Sequence, residues 1–228
     1  MKKKLDIIHE DKELLVINKP SKLLTISTEK EKYHTLYFEA SSYIKKQNPR
    51  NKIFIVHRLD KETSGIVIFA KNESLKLALQ NNWEKLAPLR EYIAVVEGGV
   101  KNKKGTITNY LKETKTLQVF DTKNPKDGKL AITHYQVLET NKTYSLLKIT
   151  IQSGRKNQIR VALSSIGHPI VGDKKYQSQK NPYGRLALHA SKLKLIHPKT
   201  KQEYIFLSKL PKEFERDFKR GIDQYLNQ

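Results

Sequence analysis

The chain has 228 residues, 37% of them hydrophobic and 8% aromatic, enough to bury a substantial core and too apolar for a disordered chain. Lys and Arg number 44 against 23 Asp and Glu, and the net charge of +21 favours a polyanionic partner through counterion release from phosphates. Charge alone leaves RNA, DNA and acidic membranes open, whereas the absence of cysteine excludes disulfides, thiolate nucleophiles, Fe–S clusters and Cys-ligated zinc.

The seven histidines show no close HxxxH or HxH spacing, so no metal site is expected. Met1-Lys2-Lys3-Lys4 and the residues after it lack the apolar core of a signal peptide, and no run approaches the ~18 apolar residues of a membrane span. A cytoplasmic protein without a membrane segment is the expectation.

In chain order, residues 5–8 and 14–17 form two short strands around the acidic turn at Glu10-Asp11, and they deliver Asn18-Lys19-Pro20, where proline ends pairing. Lys19 there is either an exposed loop lysine or part of a site. Residues 35–46 carry Leu36, Ala40, Tyr43 and Ile44 at helical spacing behind an N-capping Thr35, and Asn48-Pro49 stops the helix. Apolar, β-branched runs at 53–56 and 66–69 read as buried strands flanking a polar loop, His57-Arg58-Leu59-Asp60-Lys61-Glu62-Thr63-Ser64-Gly65. Asp and Thr-Ser-Gly are ordinary turn residues; equally, a short loop between buried strands holds its side chains in fixed directions, as a catalytic carboxylate requires.

Asn72 caps a predicted helix to about residue 85, with Leu75, Ala78, Leu79 and Trp83 inward. Strands follow at 90–98, 105–111, 117–121, 130–139 and 144–151, separated by turns rich in Lys, Asn, Asp and Gly. This run of strands without intervening helices predicts an α+β fold with a mixed, mostly antiparallel sheet and flanking helices, not a Rossmann-type one. The turn at 153–157 opens a short helix with Ile159, Ala162, Leu163 and Ile166 on one face and Gly167 as its stop. A strand spans 185–190 and its pattern continues at 193–196; from Pro211 a last helix presents Phe214, Phe218, Ile222 and Tyr225 on one side. No repeat or linker interrupts the chain, so residues 1–228 are expected to form a single domain.

Two blocks carry a family resemblance. His57-Arg58-Leu59-Asp60, two residues, then Thr63-Ser64-Gly65 and a hydrophobic strand ending Ala70-Lys71 is one; the other runs from Ser153-Gly154-Arg155 through Gln158-Ile159-Arg160 to Gly167-His168-Pro169-Ile170 and Gly172-Asp173, ending at Tyr176. Together they resemble the RluA-type pseudouridine synthases, over about residues 6–214. The chain departs from the family pattern at Lys22 and Gln177, where glycine is usual, and at Asn157 and Ala162, where a His often sits. Matching begins almost at residue 1, so the small S4-type RNA-binding domain of many relatives is expected to be absent.

The resemblance implies a pseudouridine synthase catalytic domain that isomerises uridine in rRNA or tRNA without metal, nucleotide or other cofactor; a monomer is the default expectation. It implies Asp60 as the catalytic nucleophile, Arg160 as the cation pairing with it, and Tyr92 as the ring stacked on the uracil. Taken alone, Tyr92 is an ordinary strand residue packing in a sheet. Arg58 is the residue that fills the gap left by the extruded base, or else a phosphate clamp. Arg155 and Leu188 complete the expected substrate contacts. Arg185 and the lysines near 101–104, 123–129 and 174–180 are expected to track phosphates, with His57 and His168 structural. Only eight of the cations are arginine, and four of those, Arg58, Arg155, Arg160 and Arg185, fall in these segments, where a planar fork grips what Lys cannot. A non-catalytic RNA-binding protein on the same fold is the main alternative. A metal-dependent nuclease is a weaker one, because Asp60 has only Glu62 beside it in the loop.

Overall fold

The computed structural model describes residues 5–227; the Met1–Lys4 start lies outside the described residues. In chain order the elements are β1 (Ile7–Glu10), β2 (Leu14–Lys19), α1 (Leu36–Gln47), β3 (Phe54–Ile55), β4 (Ser64–Ala70), α2 (Glu73–Asn81), α3 (Trp83–Leu86), β5 (Leu89–Glu97), β6 (Lys104–Glu113), β7 (Val119–Asp121), β8 (Lys129–Thr140), β9 (Tyr144–Ile151), α4 (Gln158–Ser165), a 3-10 turn (Lys174–Tyr176), β10 (Leu188–Ile196), β11 (Glu203–Leu207) and α5 (Lys212–Leu226). The fold is α+β, with mostly antiparallel strand pairing, as the run of strands predicts. The chain divides into two compact units, residues 1–89 with 190–209 and residues 90–189 with 210–228.

In the first unit β1 pairs β2, β2 pairs β4 from Leu14↔Ala70 to Lys19↔Gly65, and β10 pairs β11, all antiparallel. β2 and β4 alternate neither way: nearly every residue is buried, because helices cover what a one-sided sheet would leave wet. Their core joins Leu14, Val16, Ile66 and Ile68 to Leu75 and Leu79 of α2 and to Leu193, Leu195 and Phe206. Both expected caps are present, Thr35 Oγ1 accepting from Phe38 N and Asn72 Oδ1 from Leu75 N. The helix predicted to reach residue 85 is broken at Asn82, whose backbone (φ −128°, ψ 28°) separates α2 from α3. The strand expected at 53–56 shrinks to β3, two residues at the end of β4. β11 is not among the strands its sequence predicts; its Tyr204-Ile205-Phe206-Leu207 run is too short to stand out, and pairing with β10 makes it a strand.

In the second unit the order is β5-β9-β8-β6-β7, antiparallel throughout. Ile93, Val95, Leu147 and Ile149 form its core with Ile159, Ala162 and Leu163 of α4 and Phe214, Phe218, Ile222 and Tyr225 of α5. Ile166, expected on the inner face of α4, is 38% exposed instead. The helix ends at Ser165 and Gly167 turns with φ +79°, so Ile166 has left the helical register.

Lys22 and Gln177 take left-handed backbone, φ 67° and 73°, at the very positions where the sequence pattern leads one to expect glycine. Each holds a Cβ where L-residues are strained. Lys22→Gly and Gln177→Gly are therefore expected to stabilise the protein by about 0.5–1 kcal/mol each, less any gain in unfolded-state entropy. Urea midpoints below that of the parent would refute the assignment.

Candidate active site

Asp60 lies in the first unit, in the loop between β3 and β4, half-buried, with Arg58 exposed beside it. The loop is tied down from several directions. Thr25 Oγ1 donates to Leu59 O at 2.7 Å and accepts from Leu59 N at 3.3 Å. Ser21 Oγ donates to Glu62 O at 2.6 Å, and Thr63 N closes a turn on Asp60 O at 3.2 Å. Asp60 is thus a turn residue as well as a candidate nucleophile, and the two readings coexist. His57 Nε2 accepts from Ile68 N at 3.1 Å while its ring stacks on Trp83 at 4.6 Å. At the loop's other end Gly65 has φ +114°, and a Cβ there would lie 2.1 Å from Ala190 O, so only glycine permits this approach of β4 to β10.

Lys19 is the unexpected member. It is fully buried, and its Nζ donates to Pro20 O, Leu23 O and Lys61 O at 3.0, 2.8 and 3.1 Å. An exposed loop lysine is excluded. Three carbonyls satisfy the three ammonium donors, which offsets the cost of burying the charge and joins the Asn-Lys-Pro segment to the loop at the residue after Asp60.

Tyr92, Arg155, Arg160, Leu188 and Arg185 lie in the second unit. Tyr92 sits mid-β5 opposite Ile149, half-buried against the core. Arg160 is buried on α4. Its Nε and Nη2 each donate at 2.7 Å to the two oxygens of Asp173, and Nη1 donates to Asn157 Oδ1 at 3.0 Å. The guanidinium also lies 4.9 Å over the Tyr176 ring. A bidentate fork with a third bond fixes the plane of the guanidinium, and so the direction of its other N–H groups.

Asn157 can reach Arg160 because it takes left-handed backbone (φ 54°), which Asn tolerates better than most residues. Its Nδ2 donates to Tyr176 Oη at 2.9 Å, and Tyr176 in turn donates to Val119 O at 3.1 Å. Burial pushes the Tyr176 hydroxyl pKa up, keeping it a donor. Asp173 belongs to the second sequence block, which by itself gives it no role. The signal that points to it is general: an arginine on a buried helix face needs acceptors, and a carboxylate in the same sequence block is the strongest on offer.

Arg155 is exposed on a turn fastened by Gln158, whose Oε1 accepts from Ser153 Oγ and Arg155 N while its Nε2 donates to Ile132 O. Arg90, which the sequence did not single out, is buried and donates to Ile151 O and Gln152 O just before that turn. Leu188 is 3% exposed and packs in the core. Arg185 donates to Leu186 O and faces Glu213 at 3.7 Å. His168 Nδ1 bonds Glu97 O at 2.9 Å.

A model of the RNA pseudouridylate synthase family matches residues 13–165, about two thirds of the chain. The chain belongs to this family. Among its relatives is an uncharacterized RNA pseudouridine synthase of Bacillus subtilis, YhcT, 34% identical over 92% of this chain and 70% of that one. The tRNA pseudouridine synthase C of Haemophilus ducreyi is 33% identical over 94% of both. Human RNA pseudouridylate synthase domain containing 4 superimposes with a TM-score of 0.77 at 25% identity, over 94% of this chain and 92% of that one. As a synthase of this family the chain is an isomerase acting on RNA. Among the described residues no helix is long and apolar enough to cross a membrane.

Burial and the Arg185 cation lower the pKa of His189 in this synthase to about 3. A histidine that takes up no proton when folded, but does so near 6.5 when unfolded, costs nothing above pH 6.5. Below that, stability falls by about 1.4 kcal/mol per unit until about pH 3, hence by about 2 kcal/mol at pH 5. Urea unfolding of the parent and of His189→Gln between pH 7 and 5 checks this. Equal slopes for the two proteins would contradict it.

Proposed function

We propose that the synthase converts a uridine of tRNA or rRNA to pseudouridine with Asp60 as nucleophile. The carboxylate adds to the sugar or base as the C1′–N1 bond breaks. The base turns, C5 bonds to C1′, the bond to the Asp60 carboxylate breaks to return the free carboxylate, C5 loses its proton, and N1 gains one. The step is redox-neutral and calls for no cofactor. Arg160 supplies the cation that balances the carboxylate, Tyr92 the ring against the uracil, and Arg58 the side chain that fills the vacated stack; Arg155 and Leu188 add substrate contacts. Residues 1–228 act as one catalytic domain, in a cytoplasmic monomer.

The observation that carries this reading is the anchoring of the Asp60 loop by Lys19, Ser21, Thr25 and His57, because a turn with no task beyond connection requires no such set of bonds. Pseudouridine mapping on total RNA tests it, in cells lacking the protein and in cells complemented by wild type or by Asp60→Asn. One or a few sites should vanish and return only with wild type. Purified enzyme should keep its turnover in EDTA. Sites restored by Asp60→Asn would leave the non-catalytic RNA-binding reading in its place.

A further inference from the structure

The first unit carries a pair of aromatic rings on its surface, Tyr33 just before α1 and Phe38 in the first turn of that helix. Tyr33 is 70% exposed, more than any other large apolar or aromatic side chain among the described residues, and Phe38 is 41% exposed. Their ring centroids lie 5.4 Å apart at 80°, an edge-to-face contact. Such a pair covers one of its four flat ring faces and leaves the others to solvent. We propose that Tyr33 is a stacking platform for an unpaired base of the RNA substrate, next to the uridine that the Asp60 loop receives.

A short chain of bonds ties this pair to the Asp60 loop. Thr25, whose hydroxyl holds the Leu59 backbone, accepts from Tyr37 N at 3.1 Å through its carbonyl, and Leu24 O accepts from Leu36 N at 2.8 Å. The start of α1 is therefore fixed to the segment that holds the loop. Glu31 fixes the turn before it. Its Oε1 accepts from Tyr33 N at 3.1 Å and His34 N at 2.8 Å, and its carbonyl accepts from Thr28 N at 2.9 Å. The amides of His34 and Tyr33, and beyond them the charges of His34 and Lys61, hold the Glu31 carboxyl below the usual carboxylate range. The ammonium of Lys61, the residue after Asp60, is thus within electrostatic reach of this turn. Tyr33 is held by its backbone while its ring projects, so little ordering entropy is lost when a base stacks on it.

A flat aromatic face suits a nucleobase rather than a phosphate. Within the turn Lys30 and Lys32 are matched by Glu29 and Glu31, so it has no cationic surplus to attract an RNA backbone. The cations lie alongside, in the exposed Arg58 and Lys61 of the Asp60 loop. That division puts phosphates on the loop and a base on the ring. Stacking is open only to a base free of its own helix, and a strand that releases a uridine supplies such bases beside it. Every base has a π-face, so the contact tolerates any sequence.

This inference rests on the chain's acting on RNA at the Asp60 loop, and its test reads binding rather than turnover. Affinity for a fluorescent, unmodified tRNA transcript is measured across a salt series for wild type, Tyr33→Leu and Tyr33→Phe. Leucine keeps an apolar contact with Phe38, and phenylalanine keeps the ring. A fully paired RNA duplex, whose bases are already stacked, is the control ligand. Tyr33→Leu should bind the transcript about tenfold more weakly, with the slope of log Kd against log salt unchanged because no phosphate contact is lost. Tyr33→Phe should stay within about twofold of wild type on the transcript, and Tyr33→Leu within about twofold on the duplex. An unchanged transcript Kd in Tyr33→Leu, an equal loss on the duplex, or an equal loss in Tyr33→Phe overturns the proposal. So does a shallower salt slope. If wild type binds the transcript but modifies no RNA, the catalytic reading fails while the comparison of ligands still decides the role of Tyr33.

Discussion

Asp60→Asn is expected to abolish pseudouridine formation, with a rate at least about three orders of magnitude below wild type, because an amide cannot serve as the nucleophile. The same substitution should leave the fold nearly untouched. Asp60 is half-buried, Asn keeps its shape and one oxygen acceptor, and the loop is also held by bonds from Lys19, Ser21, Thr25 and His57. A stability loss of no more than about 2 kcal/mol, the cost of weakening a charge-assisted hydrogen bond to a neutral one, and RNA affinity within about threefold of wild type are expected alongside the lost turnover. Single-turnover assays with unmodified transcript, run beside urea melts, separate the two. Retained turnover would refute the nucleophile assignment, and a collapse of stability would show Asp60 to be a structural residue.

Asp173→Ala should be the most destabilising of the single changes considered, by about 3–5 kcal/mol, because it removes the carboxylate that grips the buried Arg160 guanidinium at two points. Both 2.7 Å bonds go, and the neutral Asn157 oxygen does not replace a carboxylate against a desolvated charge. Arg160→Met should cost comparably, since it leaves Asp173 as the stranded charge. The pair Arg160→Met/Asp173→Leu replaces the buried charges with apolar volume and should recover most of the lost stability. It should not recover turnover, because the cation proposed to balance Asp60 is gone. Urea midpoints of the four proteins give the coupling energy. Additive losses in the double variant would show that the two residues do not act as a unit, and full activity there would remove Arg160 from the mechanism.

Much of the local structure was legible in the sequence because it is set by neighbours in the chain. Thr35 and Asn72 cap their helices through backbone amides three residues on, and β9 begins and ends at the predicted residues. The apolar side of α5 emerges from periodicity alone, and all four of its predicted residues are buried. The His57–Gly65 loop between buried runs, the α+β class and the basic surplus were likewise open to reading. The departures at Lys22 and Gln177 could be noticed in the sequence, but only the backbone shows that both occupy left-handed positions.

What the tertiary structure decided depends on groups far apart in the chain. Lys19 looks like any loop lysine until Lys61 O, 42 residues on, becomes one of its acceptors. Arg160 finds Asp173 through the turn of the chain after α4, and no spacing rule links an arginine to a carboxylate 13 residues away. β11 exists because β10 offers it a partner, and α2 stops at Asn82 for reasons its own helical periodicity does not contain. Local propensity and capping act over three or four residues, whereas charge pairing, register and the burial of a polar side chain are settled only when distant segments meet.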